Sequence, residues 1–403
     1  MLFKRFCAAN PHALFIYSLI IADVFRLFWM IYFQPEIASD ARWYFEKAYQ
    51  MSDGQGYHDE GEKTAFYPVG YPAFLSLVFS IFGSNVFTTR ILNLFLYLGF
   101  MFVFYKILLQ IKVPVKAAGW SCILLAVYPN HIAYVNLLYS ENLFIFIFFL
   151  SIYFYFFSDK NRFFILISGF CFGLSVLIRP AALFIPLLLI LLPGFKSAIS
   201  EKIKKIVFIY VILAITVLPW TIRNYSVFGK FVWVSTTAGY DLLIGNNHEA
   251  KGNYHLNEAL FKSIPEHLTE TEYDAYTKKL AIKYLAEYPN EAISRLPSKI
   301  FYFLWPPSEG IGWNLRGIDE TKMQVLKNIS FYNNIFLLII AAFLVLFAVI
   351  FKLNPVLIRL LLITGGYYLF VSMVFFGESR FHFHLIPIVF SLVANGFTLI
   401  REK

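Results

Sequence analysis

Residues 39–72 read SDARWYFEKAYQMSDGQGYHDEGEKTAFYPVGYP, an acidic, aromatic, glycine-punctuated stretch that follows directly on an apolar run. Asp40 stands at the exit of that run, and a carboxylate at the mouth of a membrane helix must be solvated, paired or put to use. The residues around it set the fold. Of 403 residues, 59% are hydrophobic, 20% aromatic and only 15% charged, where about a quarter charged is usual in a soluble domain. Apolar runs approaching the roughly 20 residues of a crossing helix recur along the chain. They are unbroken, whereas a membrane barrel shows alternating strands of about ten residues. The reading is an all-α polytopic membrane protein.

Outward from that stretch, the crossings fall near residues 13–33, 88–109, 117–128, 141–157, 163–178, 181–192, 206–220, 332–351, 356–376 and 384–400, about ten in all. Residues 71–82, closed by Gly83-Ser84-Asn85, are too short to cross and are expected to lie in the interface as a juxtamembrane helix. In the first span, Asp23 and Arg26 share a helix face and are expected to neutralise each other. The chain divides into a transmembrane module over 1–220 with a first outer loop over 34–87, a polar extracytoplasmic segment over 221–330, and C-terminal helices over 331–403. The polar segment opens TIRNYSVFGKFVWVSTTAGYDLLIGNN, which reads as strand and turn. Further on, Thr269-Glu270-Thr271-Glu272 has capping-box spacing and predicts a helix of about twenty residues ending before Pro289.

The net charge of +9 need not imply nucleic acid. With the N-terminus inside, the short inner loops collect Lys4 and Arg5; Lys106, Lys112 and Lys116; Lys160 and Arg162; Lys196, Lys202, Lys204 and Lys205; Lys352; and Arg401 with Lys403, as the positive-inside rule requires. MLFKRF before the first run lacks a small-residue cleavage site and is read as the start of an uncleaved span. Cys7, Cys122 and Cys171 show no disulfide or metal spacing. No Walker or dinucleotide glycine pattern occurs, and no inner loop is long enough for a nucleotide-binding domain.

The outward ends hold the chemistry. Asp40 suits either a helix cap or a base, and Glu141 in Tyr139-Ser140-Glu141 suits a cap. Arg179 and Arg380 adjoin apolar runs and must meet a carboxylate, a backbone oxygen or a phosphate unless they snorkel. Arg223, Lys63, Glu378 and His382 lie on the same side. His58, Asp59, Glu60 and Glu62 offer ligands to a divalent cation, although their spacing matches no defined metal loop and a solvated turn accounts for them equally.

The order Asp40; Tyr67-Pro68-Val69-Gly70-Tyr71-Pro72; Tyr139-Ser140-Glu141; Leu177-Ile178-Arg179-Pro180; Pro219-Trp220-Thr221-Ile222-Arg223-Asn224-Tyr225; Gly245-Asn246-Asn247; Phe376-Gly377-Glu378-Ser379-Arg380 resembles the bacterial branch of the GT-C membrane glycosyltransferases. That group includes relatives of dolichyl-phosphate-mannose protein mannosyltransferases and of the aminoarabinose transferase that modifies lipid A. The resemblance implies a GT-C-like fold in a bacterial cytoplasmic membrane. It also implies sugar transfer from a polyprenyl monophosphate donor to a glycan, lipid or protein acceptor outside, with Asp40 as base. Arg380 leads as ligand of the donor phosphate, ahead of Arg179, Arg223 and Lys63, and Tyr67, Glu141, Glu378 and His382 are further site candidates. Relatives of the lipid A type carry an acidic residue and a lysine before the first-loop proline, where this chain has Phe66-Tyr67. A transporter of a lipid-linked substrate is the alternative, but repeats and mid-membrane charges of the kind such proteins show are not evident here.

Overall fold

The computed structural model describes residues 10–158, 161–192 and 199–401. Lys4, Arg5, Cys7, Lys160, Lys196 and Lys403 lie outside the described residues, as does the side chain of Arg401. The first helix, α1 (Ala13–Tyr32), leads to α2 (Asp40–Ser52), a hairpin of β1 (His58–Asp59) and β2 (Glu62–Lys63), and α3 (Gly70–Phe82). Then come α4 (Val86–Gln110), α5 (Val115–Val127), α6 (Pro129–Val135), α7 (Glu141–Phe157) and α8 (Phe163–Ile178). A broken stretch around α9 (Ile185–Leu188) leads to the long α10 (Ile199–Phe228). The polar segment carries α11 (Ala238–Gly245), α12 (Glu258–Lys262), α13 (Glu270–Glu287), α14 (Pro289–Ser294), α15 (Leu296–Leu304) and α16 (Glu309–Trp313). The chain closes with α17 (Glu320–Ile350), α18 (Pro355–Val374) and α19 (Ile386–Arg401).

Five described helices, α1, α4, α10, α17 and α18, are long and apolar enough to cross a membrane, and six shorter apolar segments accompany them. The polytopic helical architecture is therefore the one expected. One row packs α4 on α7, α7 on α8 and α8 on α10; a second packs α1 on α5, α5 on α19 and α19 on α17. Large rings such as Phe100, Phe104, Phe148 and Phe149 fill the space between α4 and α7. Outer faces keep residues such as Ile31, Phe95, Val207 and Val349 exposed, as helices bathed in lipid require. Helix starts follow side-chain caps: the Asn85 carboxamide accepts the Phe87 N–H, Asn354 accepts those of Val356 and Leu357, and Asp319 that of Lys322.

Helix α3 buries Tyr71, Leu75 and Phe79 and exposes Leu77, Ile81 and Phe82, the two-faced pattern of an interfacial helix. Three expectations need correction. Arg26 gives its N–H groups to the carbonyls of Ala22, Leu125 and Ala126 and lies 3.8 Å from the centre of the Tyr97 ring, instead of pairing with Asp23. Helix α10 runs through residue 220 to Phe228, so the boundary placed there falls within a helix. The strand-like opening of the polar segment contains no strand, the two-residue hairpin arms being the strands among the described residues.

Candidate active site

The chain leaving α1 is gripped by its backbone. The Phe33 carbonyl accepts from Asn136 Nδ2 at 2.8 Å, and that of Pro35 from Arg90 Nη2 at 3.1 Å. Ser39 then turns the chain into α2 with φ of 53° and ψ of −133°, a conformation that side chains beyond glycine seldom adopt. Ser39 makes no side-chain cap, and its hydroxyl instead lies 3.3 Å from Asp40 Oδ1. Asp40 is the first residue of α2, and its carboxylate meets side chains from the first outer loop and the turn after α18. Oδ1 accepts from the Tyr67 hydroxyl at 3.3 Å and Oδ2 from Arg380 Nη1 at 3.0 Å. Burial first, and the Asp40 charge second, hold the Tyr67 phenol well above its ordinary range, so it stays a donor.

Arg380 reaches Asp40 from the turn between α18 and α19. Its Nε stands 2.6 Å from Glu378 Oε2, an ion pair whose angle lies outside hydrogen-bond alignment. The turn is braced from behind: the Arg380 backbone N–H donates to Glu309 Oε2 at 2.9 Å, and the Gly377 N–H to the Gly252 carbonyl at 2.8 Å. Gly377 has no room for a side chain, because a Cβ there would run into the Lys299 carbonyl. Burial opposes the Arg380 charge, yet Glu378 and Asp40 more than offset it and raise its pKa. Burial raises the Glu378 carboxyl above its usual range against the pull of Arg380.

Arg179 follows α8 at the break before Pro180. Its Nη2 meets Glu141 Oε1 at 2.5 Å, and its Nε donates to Ser140 Oγ at 3.3 Å. Glu141 is the first residue of α7 and is almost wholly buried, so it is an ion-pair partner in addition to favouring the helix start. Buried Tyr44 on α2 is within electrostatic reach of Asp40, Arg179, Glu141 and Arg380 together, which places both ion pairs around one centre. Asp241 on α11 is within electrostatic reach of Arg380 and Asp40; burial pushes its carboxyl up to about 7, with Arg380 pulling it down and Asp40 up.

Other sequence candidates stand apart from this centre. Arg223 donates to the carbonyls of Thr64 and Tyr57 at 2.8 and 3.1 Å, tying the first outer loop to α10. Lys63 is exposed on β2, paired across the hairpin with His58. Glu60 and Gly61 supply the positive φ values of the turn, and Asp59 is bound to Lys47 at 2.7 Å. His58, Asp59, Glu60 and Glu62 thus build a hairpin, and no group of three His, Cys, Asp or Glu among the described residues is arranged to hold a metal ion. His382 is buried, its Nδ1–H donating to the Phe303 carbonyl at 2.6 Å. Glu309 and Asp241 were not singled out in the sequence: each stands singly in the polar segment, and its one signal was a carboxylate beside an aromatic and a turn-forming proline or glycine, Trp305-Pro306-Pro307-Ser308-Glu309 and Gly239-Tyr240-Asp241.

Residues 67–221 match the family model described as dolichyl-phosphate-mannose-protein mannosyltransferase. No curated protein matches the chain's sequence. Among solved structures, the oligosaccharyltransferase AglB of Archaeoglobus fulgidus, in complex with an inhibitory peptide and a dolichol-phosphate, is similar with a TM-score of 0.58 at 13% identity, covering 100% of this chain and 51% of that one. The apo oligosaccharyltransferase of the same organism is similar with a TM-score of 0.57 at 14% identity, covering 98% and 51%. ArnT of Cupriavidus metallidurans bound to undecaprenyl phosphate has a TM-score of 0.45 at 11% identity over 94% of this chain and 77% of that one. The chain spans about half the length of the archaeal enzyme. It is a polytopic membrane protein with the GT-C fold, similar over residues 67–221 to the family model named above.

Proposed function

We propose that this protein is a membrane glycosyltransferase that moves a sugar from a polyprenyl monophosphate donor to a hydroxyl of an extracytoplasmic acceptor, with inversion at the anomeric carbon. The observation that carries the reading is the 3.0 Å ion pair of Asp40 and Arg380, which sets a base beside a phosphate ligand. Asp40 takes the proton of the acceptor hydroxyl while its oxygen attacks the anomeric carbon. The bond from that carbon to the phosphate oxygen breaks, and its electron pair leaves with the polyprenyl phosphate. Arg380 neutralises the charge that grows there, and Arg179 adds a second positive field from the Glu141 side. Tyr67 donates to Asp40 and keeps its carboxylate oriented.

The dolichol-phosphate held by the archaeal neighbour supports a lipid phosphate as the class of donor. A lipid donor meets its enzyme at the membrane boundary, where α1 ends and α2 begins. The basic inner loops support an N-terminus in the cytoplasm, with the site on the outer face of a bacterial cytoplasmic membrane.

The test is turnover by the full chain in lipid nanodiscs with polyprenyl phosphate sugars. Asp40→Asn is expected to lower the rate by about 10²–10⁴-fold, the usual worth of a general base, with folding intact by thermal melting. Turnover retained in that variant would falsify the base assignment. Mass spectrometry of envelope glycans from a deletion strain identifies the sugar and acceptor by what is missing.

A further inference from the structure

Two carboxylates of the polar segment act on the candidate site without entering it. Glu270, the first residue of α13, accepts the Ala65 backbone N–H at 2.9 Å and the Thr64 hydroxyl at 2.6 Å, and the Thr236 hydroxyl donates to it at 2.7 Å. The Ala65 carbonyl in turn accepts the Thr236 N–H at 3.0 Å. Two residues on, Tyr67 reaches Asp40, its own carbonyl held by the Tyr57 hydroxyl at 3.0 Å. Glu270 thus fixes the strip of loop that aims Tyr67.

Glu309 does the same on the opposite side. Its Oε2 accepts the Arg380 backbone N–H at 2.9 Å and the Ser379 hydroxyl at 3.3 Å. The helix that carries it, α16, is docked by buried amides. Asn130 Oδ1 accepts the Gly310 N–H at 2.9 Å, and Asn314 donates to the Gly310 carbonyl at 2.8 Å. Asn136 Nδ2 bridges Asn314 Oδ1 and the Phe33 carbonyl, each at 2.8 Å. One rigid network therefore fixes the chain entering Asp40 and the brace behind Arg380. An ionised carboxylate accepting a backbone N–H makes one of the stronger hydrogen bonds available, and each of these two aims one partner of Asp40.

We propose that Glu270 and Glu309 are separate positioning residues of the polar segment: Glu309 sets Arg380 for the donor phosphate, and Glu270 sets Tyr67 for proton transfer at Asp40. The division of labour rests on the glycosyltransferase reading, whereas the bracing itself does not.

The experiment uses the full chain in nanodiscs, with Glu309→Ala, Glu309→Gln, Glu270→Ala and Glu270→Gln, read by amide hydrogen exchange and by binding of bare undecaprenyl phosphate. Glu309→Ala is expected to speed exchange in a peptide over 376–383 and not in one over 62–69. It should also weaken undecaprenyl phosphate binding about tenfold, the worth of one charge-assisted hydrogen bond. Glu309→Gln, whose amide oxygen still accepts the Arg380 N–H, should remain near wild type in both. Glu270→Ala should speed exchange over 62–69 alone and lower turnover with binding unchanged, and Glu270→Gln should restore most of it. Exchange that rises in both peptides together, or in neither, overturns the positioning claim. A wild-type protein that binds no undecaprenyl phosphate overturns the donor reading, and the exchange arms then still decide the bracing.

Discussion

Ser39 holds a backbone conformation that costs a non-glycine residue about 1–3 kcal/mol, one position before Asp40. Ser39→Gly is expected to raise stability by about 0.5–1 kcal/mol after glycine's greater unfolded entropy is subtracted, measured by denaturant unfolding in detergent. A fall instead shows that the hydroxyl beside Asp40 outweighs the strain. Arg179→Ala leaves Glu141 charged and almost fully buried, and should cost roughly 3 kcal/mol by the same measurement. Glu141→Gln should cost less, because Arg179 keeps a fifth of its side chain in contact with solvent. Position at an apolar boundary brought forward Asp40, Arg179, Glu141, Glu378 and Arg380, and the family resemblance added Tyr67. Neither gave a sign that Asp40 meets Arg380 or that Arg179 meets Glu141, since those partners lie on different elements. Glu309 escaped notice because its function is to accept a backbone N–H, and any carboxylate in a polar segment looks alike until its partner is seen.

At the level of elements, the capping box at α13 was fully legible: the Thr269 N–H and hydroxyl both reach Glu272, and the helix stops at Glu287 before Pro289. Thr269→Ala is expected to cost about 1 kcal/mol and to fray the first turn of α13, seen as faster amide exchange over 270–273. No change there would mean that Glu270's contacts alone hold the turn. The residues after α10 were misread as strand because Val232, Trp233 and Val234 favour it. Their carbonyls are instead taken by side chains of α10: Asn224 Nδ2 donates to Val232, Thr221 Oγ1 to Trp233 and Trp220 Nε1 to Val234. A pattern of propensity cannot reveal that a neighbouring helix has supplied the donors. The His58 to Glu62 charge cluster folds as a hairpin whose turn takes the positive φ of Glu60 and Gly61.

Across the whole molecule, Lys299 ties the polar segment to the C-terminal helices, donating to Asn246 Oδ1 and to the Met373 carbonyl at 3.0 Å each. Burial, with Arg295 nearby, pushes its amine down to about 8 from an ordinary 10.5. The folded chain therefore binds fewer protons than the unfolded one between those values, so stability should rise as pH climbs from about 8 to 10.5. Lys299→Met should flatten that slope in thermal melts taken across the range, and an unchanged slope assigns it to other groups. The helical membrane architecture was plain from apolar run length, while the rows of packing and the amide network between α6, α16 and the end of α1 depend on residues far apart in sequence.

The ion pair at the centre of the site joins positions 340 residues apart, and this bears on synthesis. Asp40 is synthesised 340 residues before Arg380, so until the turn after α18 has been made the carboxylate has no Arg380 guanidinium to meet. On the proposed function, the pair that would carry the chemistry is assembled only after α18 has entered the membrane, and the shorter nascent chain would be inactive.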